Sequence, residues 1–283
     1  MGHGAENMTP PREEGPRTAC CICGNDNAST FLEVSGKSIV RCRACGLVYT
    51  ADFHQADTLY AGEYFTGPGR YVERDDTFRS LFEPLVEKIR RIKPCGTFLD
   101  VGTGVGVLME VASGKGFAVK GVEVSNWASA YAREKKGLDV VSGRIEDAGF
   151  GDASFDVIVL NHVLEHVEAP KFLLAEIRRI LKDDGLLVIG VPNAGSLMGA
   201  LLGARWASWR PDEHIWHFTP ATLLTLVKAG GFDVIRWEAK DNSHVTGWGA
   251  KDLAQRVINA ISVMANKAEA MLLFARKGKR VTT

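Results

Sequence analysis

From Thr97 onward, apolar runs of strand length alternate with stretches whose apolar residues recur every three to four positions. The pattern predicts strands at 97–101, 118–124, 138–142, 155–160, 186–191, 232–238 and 270–275. It predicts helices at 105–115, 126–136, about 168–181 and 220–229. Ser125 or Asn126 can cap the second of these, and Thr219-Pro220 supplies an N-cap and first turn for the last. Asp183-Asp184-Gly185 reads as a turn. Upstream, Phe78, Leu81, Phe82, Leu85, Ile89 and Ile92 share a helical face over 76–92, with Pro84 placed to kink or restart the helix. Strands that are apolar throughout are buried on both faces, so the expected fold is α/β, a mostly parallel sheet with helices on both sides. Two segments interrupt the alternation. Residues 193–219 lie beyond the carboxyl end of the fifth strand, and 241–268 carry an amphipathic helix near 250–266. Ligands of open α/β sheets bind at that carboxyl end, so the first insertion is placed to cover a substrate.

Composition adds limits. A chain of 283 residues can hold one large domain and one small module. The expected division is a disordered tail over 1–18, a zinc-binding knuckle over 19–50, a connector and helix over 51–94, and a large domain over 95–283. The tail is polar and lacks the apolar core of a signal peptide. No apolar run is long enough to span a membrane, so a cytoplasmic location is expected. Formal net charge is zero, which leaves no whole-chain electrostatic footprint for nucleic acid.

Five of the six cysteines fall between Cys20 and Cys45. Cys20-x2-Cys23-Gly24 and Cys42-x2-Cys45-Gly46 have the spacing of a tetrahedral, all-thiolate zinc site, which is closed and therefore structural. Two disulfides are the alternative, disfavoured in a reducing compartment. Phe31–Val34 and Ser38–Val40 read as a hairpin around Gly36-Lys37 between the pairs. Cys21 and Cys95 are not expected to be ligands.

The strand at 97–101 runs into Gly102-Thr103-Gly104-Val105-Gly106, a turn with glycine at alternate positions. Glycine lets the turn bend sharply and its backbone lie against a ligand. The next strand ends in Glu123, where a carboxylate can accept both hydroxyls of a ribose. With Val157–Val167 and Gly185–Ile189 in order behind them, these segments resemble the Rossmann-like class I S-adenosylmethionine (SAM) methyltransferases over about residues 75–276. The resemblance implies a seven-stranded mostly parallel sheet with SAM as cofactor. It implies that Gly102, Gly104 and Gly106 face the methionine part, with Asp100 and Thr103 beside them. Glu123, followed by Val124, would hold the ribose, and Asn161, followed by His162, would meet the methionine amino group. Gly143–Asp147 would line the adenine. Arg144 stands where many relatives carry Asp, so the adenine contact falls to the backbone at Ile145 or to Glu146. Tyr64 of the connector is a further candidate for the cofactor site.

His162-x-x-Glu165-His166 also matches an inverted zinc-protease helix, although it follows an apolar strand at once. The other readings are histidines hydrogen-bonded at a helix start, or a lining of the active-site mouth. The richest stretch is Trp206–Pro220, which packs aromatics, two histidines and two carboxylates into one loop. A similar Glu-His-x-x-His-Phe-Thr/Ser pattern recurs in methyltransferases with an N-terminal zinc module, some of which act on sugars. Carried over, His214 is the general base and Glu213 its orienting partner; alternatively His214 and His217 anchor the loop.

The expected activity is methyl transfer from SAM to a small molecule, with a sugar or sugar nucleotide as the candidate acceptor. An RNA methyltransferase and a non-catalytic SAM-binding scaffold are the alternatives. Neutral charge argues against the first, and turnover would exclude the second.

Overall fold

In the computed structural model, the described residues are 19–53, 60–67, 71–241 and 250–278. The expected tail over 1–18 and parts of the connector and second insertion lie outside them. The elements in order are β1 (Ala28–Val34), β2 (Lys37–Cys42), β3 (Val48–Thr50), α1 (Gly62–Thr66), α2 (Asp75–Arg90), β4 (Gly96–Val101), α3 (Val107–Gly114), β5 (Phe117–Glu123) and α4 (Asn126–Lys136). Then come β6 (Val140–Ser142), β7 (Phe155–Asn161), α5 (Pro170–Ile180), β8 (Leu181–Pro192), α6 (Leu197–Leu202), β9 (Trp216–His217), α7 (Pro220–Ala229), β10 (Phe232–Lys240), α8 (Ala250–Met264) and β11 (Ala270–Lys277).

The large sheet has seven strands in the order β10-β11-β8-β7-β4-β5-β6. All neighbours are parallel except β11, which runs antiparallel to both β8 and β10. Leu85, Val86 and Ile89 of α2 and Leu108 and Val111 of α3 cover one face. Leu173, Leu174 and Ile177 of α5 and Leu223 and Leu226 of α7 cover the other. Strand order reverses around β4, which pairs with β5 on one side and β7 on the other. Val101 is in register with both Val122 and Leu160, so Gly102, Glu123 and Asn161 emerge side by side at the carboxyl edge. That is where such sheets bind ligands.

Local chemistry explains the element ends. Ser125 caps α4 through Ala128 N, and Gly137 ends it at φ 66°. Thr219 and Thr222 form a reciprocal capping box at α7. Three boundaries differ from expectation. Pro84 sits inside an unbroken α2. The predicted turn at 183–185 is part of β8, as a shift in register that pairs Phe155 with Leu181 but Val157 with Leu186. The exposed Asp183 and Asp184 occupy that shift. Val124 lies beyond the end of β5 and is 51% exposed.

A second sheet of four strands has the order β1-β2-β3-β9. The hairpin between β1 and β2 turns at Ser35-Gly36, both at positive φ. Its fourth strand, β9, comes from the insertion after β8, so Val48 pairs with His217 and Tyr49 with Trp216. The cysteine module and the insertion thus form one sheet. Among the described residues no helix is long and apolar enough to cross a membrane.

Candidate active site

The glycine turn sits on the rim of a cavity of about 910 Å³. Gly102 and Gly104 have φ of 69° and 55°, the left-handed region that glycine enters without strain. A Cβ on Gly102 would fall 2.6 Å from Val163 Cγ2, so this glycine packs against the turn after β7. A Cβ on Gly104 would meet only Phe65 Cε1, at 3.7 Å, which leaves its backbone open to a ligand. Gly106 stands apart from the other residues of the expected cofactor set. It precedes α3 at φ 85°, a Cβ there would lie 2.3 Å from Leu138 Cδ1, and it is not among the residues lining the cavity. It is glycine so that α3 can pack against the residues following α4.

Glu123 is buried and its oxygens accept from Gly104 N at 2.7 Å and Ser125 N at 2.8 Å. A carboxylate offers about four lone-pair sites, so it can still accept two ribose hydroxyls. Burial raises its pKa against the pull of these N–H donors. Asp100 is buried beside it and accepts from Thr103 Oγ1 at 2.8 Å. Burial, with the charge of Glu123 adding and the Thr103 bond opposing, raises the Asp100 pKa to about 7. Val124, Ile145, Glu146, Asn161, His162 and Tyr64 line the same cavity, together with Asp100, Thr103 and Gly104. One wall is aromatic, with Tyr71 stacked on Phe78 at 4.8 Å and on Tyr64 at 5.9 Å. An open glycine backbone next to a partly satisfied carboxylate is a donor set that fits the methionine and ribose ends of SAM.

His166, Ser208, Arg210 and His214 form another part of the lining. His214 is 4% exposed, and its Nδ1 lies 2.9 Å from the Ser208 carbonyl. Burial lowers its pKa to about 3, with the charge of Glu165 opposing. Glu213 is not the partner expected of it. Its carboxylate pairs with Arg210 and lies 3.5 Å from the Tyr64 hydroxyl. Both Glu213 N and His214 N bond to the Arg210 carbonyl at 2.8 Å, a tight turn that sends consecutive side chains apart. Ser208, which sequence reasoning did not single out, orients the ring instead. No local pattern marks a backbone carbonyl for that role.

The protease helix does not form. Leu164–His166 is one turn of 3-10 helix, too short to put His162 and His166 on one face. His162 itself adopts φ 58°, and its Nδ1 lies 3.1 Å from Glu165 Oε1. Burial pushes the Glu165 pKa up, but the His162 hydrogen bond and the neighbouring imidazoles hold it at about 2. His217 is an anchor. It is buried in β9, 3.1 Å from Thr50 Oγ1, and packs edge-on against Trp209 at 5.0 Å. Burial lowers its pKa to about 3. Thr50 Oγ1 also donates to the His214 carbonyl at 2.8 Å. The cysteine module therefore holds the segment that presents His214.

The cysteine site fits zinc. Cys20 and Cys45 Sγ are 3.3 Å apart, Cys23 and Cys42 Sγ 3.5 Å, and all four lie within 4.8 Å of one another. A disulfide needs about 2.05 Å, whereas tetrahedral zinc at about 2.3 Å from each sulfur spaces them by about 3.8 Å. Gly24 N and Gly46 N close the two knuckles on the Cys20 and Cys42 carbonyls at 2.8 and 3.0 Å. Cys21 packs against the core and Cys95 is exposed, neither in the cluster.

Comparison with known proteins gives a consistent result. The family described as a methyltransferase domain matches residues 73–236. An uncharacterized protein of Methanocaldococcus jannaschii is 34% identical over 172 residues, 59% of this chain and 81% of its own. A ubiquinone biosynthesis O-methyltransferase of Cereibacter sphaeroides is 33% identical over 148 residues, 48% of this chain and 60% of its own. The chain thus spans less than two thirds of that relative. A SAM-dependent methyltransferase from Archaeoglobus fulgidus shares the fold with a TM-score of 0.53 at 21% identity, covering 73% of this chain and 99% of the other. The 1,6-didemethyltoxoflavin-N1-methyltransferase of Burkholderia thailandensis, solved with its named substrate and S-adenosylhomocysteine, has a TM-score of 0.53 at 18% identity, covering 89% and 100%.

Proposed function

This chain belongs to the class I SAM-dependent methyltransferases, and we propose that it methylates a hydroxyl of a small, ring-bearing acceptor. The observation that carries this reading is the single cavity that joins the Gly104–Glu123 cradle to an aromatic wall and to the His166–His214 pair. SAM supplies an already activated methyl group, so the protein's task is alignment and handling of one proton. Glu123 holds the ribose, and the open backbone at Gly104 lets the methionine end lie close. Tyr64, Tyr71 and Phe78 take the flat face of the acceptor's ring. The acceptor's proton is lost at the His166–His214 end. A sugar or sugar nucleotide suits this arrangement, since its ring face stacks on aromatics and Arg144 and Arg210, both in the lining, can meet anionic groups.

Calorimetry with SAM, then label transfer from methyl-labelled SAM to hydroxylated acceptors, tests the reading. Glu123→Ala removes charge-assisted bonds worth about 1.5–3 kcal/mol, so SAM affinity is expected to fall roughly 10- to 100-fold. Tight SAM binding without transfer to any hydroxylated small molecule would overturn the catalytic reading in favour of a scaffold. Unchanged affinity in Glu123→Ala would remove this carboxylate from the cofactor site.

A further inference from the structure

We propose that Glu165, His166 and His214 form a second metal site, for a divalent cation, in the wall of the cavity. One ligand atom from each of these residues lies within 4.8 Å of the others. Three further observations turn that proximity into a site.

The first is the state of the two rings. His166 Nδ1 is 2.9 Å from the Glu213 carbonyl and His214 Nδ1 is 2.9 Å from the Ser208 carbonyl. A carbonyl only accepts, so in each neutral ring Nδ1 carries the proton and Nε2 carries the lone pair. A carbonyl bonded to the far ring nitrogen is the usual support of a metal-bound histidine, because it sets the tautomer and the aim of the ring. Here both rings of the pair have it, and their centroids are 4.7 Å apart.

The second is an orphaned oxygen. Glu165 is 1% exposed; its Oε1 faces His162 Nδ1 at 3.1 Å, while its Oε2 has no hydrogen-bond partner. A buried carboxylate oxygen without a partner is costly, and a cation removes that cost. Among the described residues no lysine or arginine forms an ion pair with Glu165; its nearest titratable neighbours are the imidazoles of His162 and His166.

The third is preorganisation. The two ligand-bearing segments are stitched together by Ile215 N donating to the Glu165 carbonyl at 2.9 Å and by the His166–Glu213 bond. The ligands are thus held before any ion arrives. Two imidazoles and one carboxylate suit zinc, manganese, iron or cobalt and leave coordination positions open, unlike the closed cysteine site. His166 and His214 both line the cavity, so an open position is available to an oxygen of the acceptor. This assignment of the open position rests on the methyl-transfer reading and deepens it: a hydroxyl bound to a divalent ion is more acidic, and His214 then serves as a ligand in place of a base. The metal site itself does not depend on that reading.

The test uses the full chain with its cysteine site loaded with zinc, titrated with Co2+ and followed by absorption and by metal analysis. A second equivalent is expected, with weak d–d bands and no thiolate charge-transfer band. His166→Gln and His214→Gln are each expected to weaken Co2+ binding at least tenfold, while the four-cysteine zinc is retained. His166→Gln covers the case in which His214→Gln fails to fold. No second equivalent at millimolar Co2+, or equal binding in both variants, overturns the site and leaves the orphaned oxygen to a buried water. Metal binding without any effect on methyl transfer overturns the assignment to the acceptor. Metal binding by a chain that does not bind SAM supports the site while sinking the methyltransferase reading.

Discussion

Gly104 and Gly106 stand two positions apart, both at positive φ, yet do different work. Gly104 opens on the cavity, and Gly106 is pressed against Leu138. Alanine at Gly106 adds the left-handed cost of about 1 kcal/mol to an overpacking cost of about 1–3 kcal/mol. Gly106→Ala is therefore expected to lower unfolding stability in urea by about 2–4 kcal/mol. Gly104→Ala is expected to cost about 1 kcal/mol of stability, the left-handed cost alone, but to weaken SAM binding in calorimetry, because its Cβ enters the space a ligand needs. A reversed pattern would exchange their roles. The glycines were legible in the sequence as a turn. Which of them faces the ligand was not, because that depends on Leu138, which only the packing of α4 brings near.

At the scale of elements, the pairing of β3 with β9 is the decisive contact. Thr50 Oγ1 bonds both the His214 carbonyl and the His217 ring, and Thr50 N donates to the Ile215 carbonyl at 2.9 Å. The cysteine module thereby sets the position of the loop that presents His214. Thr50→Val leaves the His214 carbonyl without this donor and the His217 Nε2–H without its acceptor, and is expected to cost about 1–3 kcal/mol of stability. Stripping the zinc, or Cys42→Ser, is expected to lower turnover more than SAM affinity, since β4, β5 and α3 do not rely on the module. Parallel measurement of SAM Kd and kcat checks this. An equal fall in both would mean that the module supports the whole fold. The four cysteines announced their site by spacing alone. Their partnership with residues 216–217 carries no local signal, because a two-residue strand has no periodicity.

Across the whole molecule, acid is expected to unfold this protein early. His217 is buried at a pKa of about 3 and takes up its proton only on exposure. Between pH 6.5 and 3 the unfolded chain binds the proton that the folded chain refuses, so stability falls as pH falls through that window. Glu165, held at about 2, contributes stability that is present above its ordinary value of 4.5 and lost as pH falls toward 2. Asp100 acts in the other direction, against His217 and the equally buried His214, whose pKa is also lowered to about 3. Its raised pKa means that its contribution falls as pH rises from about 4 to about 7. Thermal unfolding followed from pH 7 to pH 4 is expected to show a falling midpoint, and His217→Asn a shallower slope. An unchanged slope would place the acid sensitivity elsewhere.

The sequence by itself determined what repeats or recurs locally: the alternation of strands and helices, the glycine turn, the acidic end of β5, and the paired C-x2-C knuckles. These follow from hydrophobic period, backbone freedom and ligand spacing, which act within a few residues. Only the tertiary structure decided which long-range partners those residues meet. Glu213 looked like the neighbour of His214 because the two are adjacent in the chain, but a tight turn sends it to Arg210 and gives the ring to Ser208. Glu165 and His166 looked like part of a helical motif, and the fold instead sets them against His214 from a loop about fifty residues away. Hydrogen-bond partners at such separations are chosen by sheet order and loop closure, and neither is written in any short stretch of the chain.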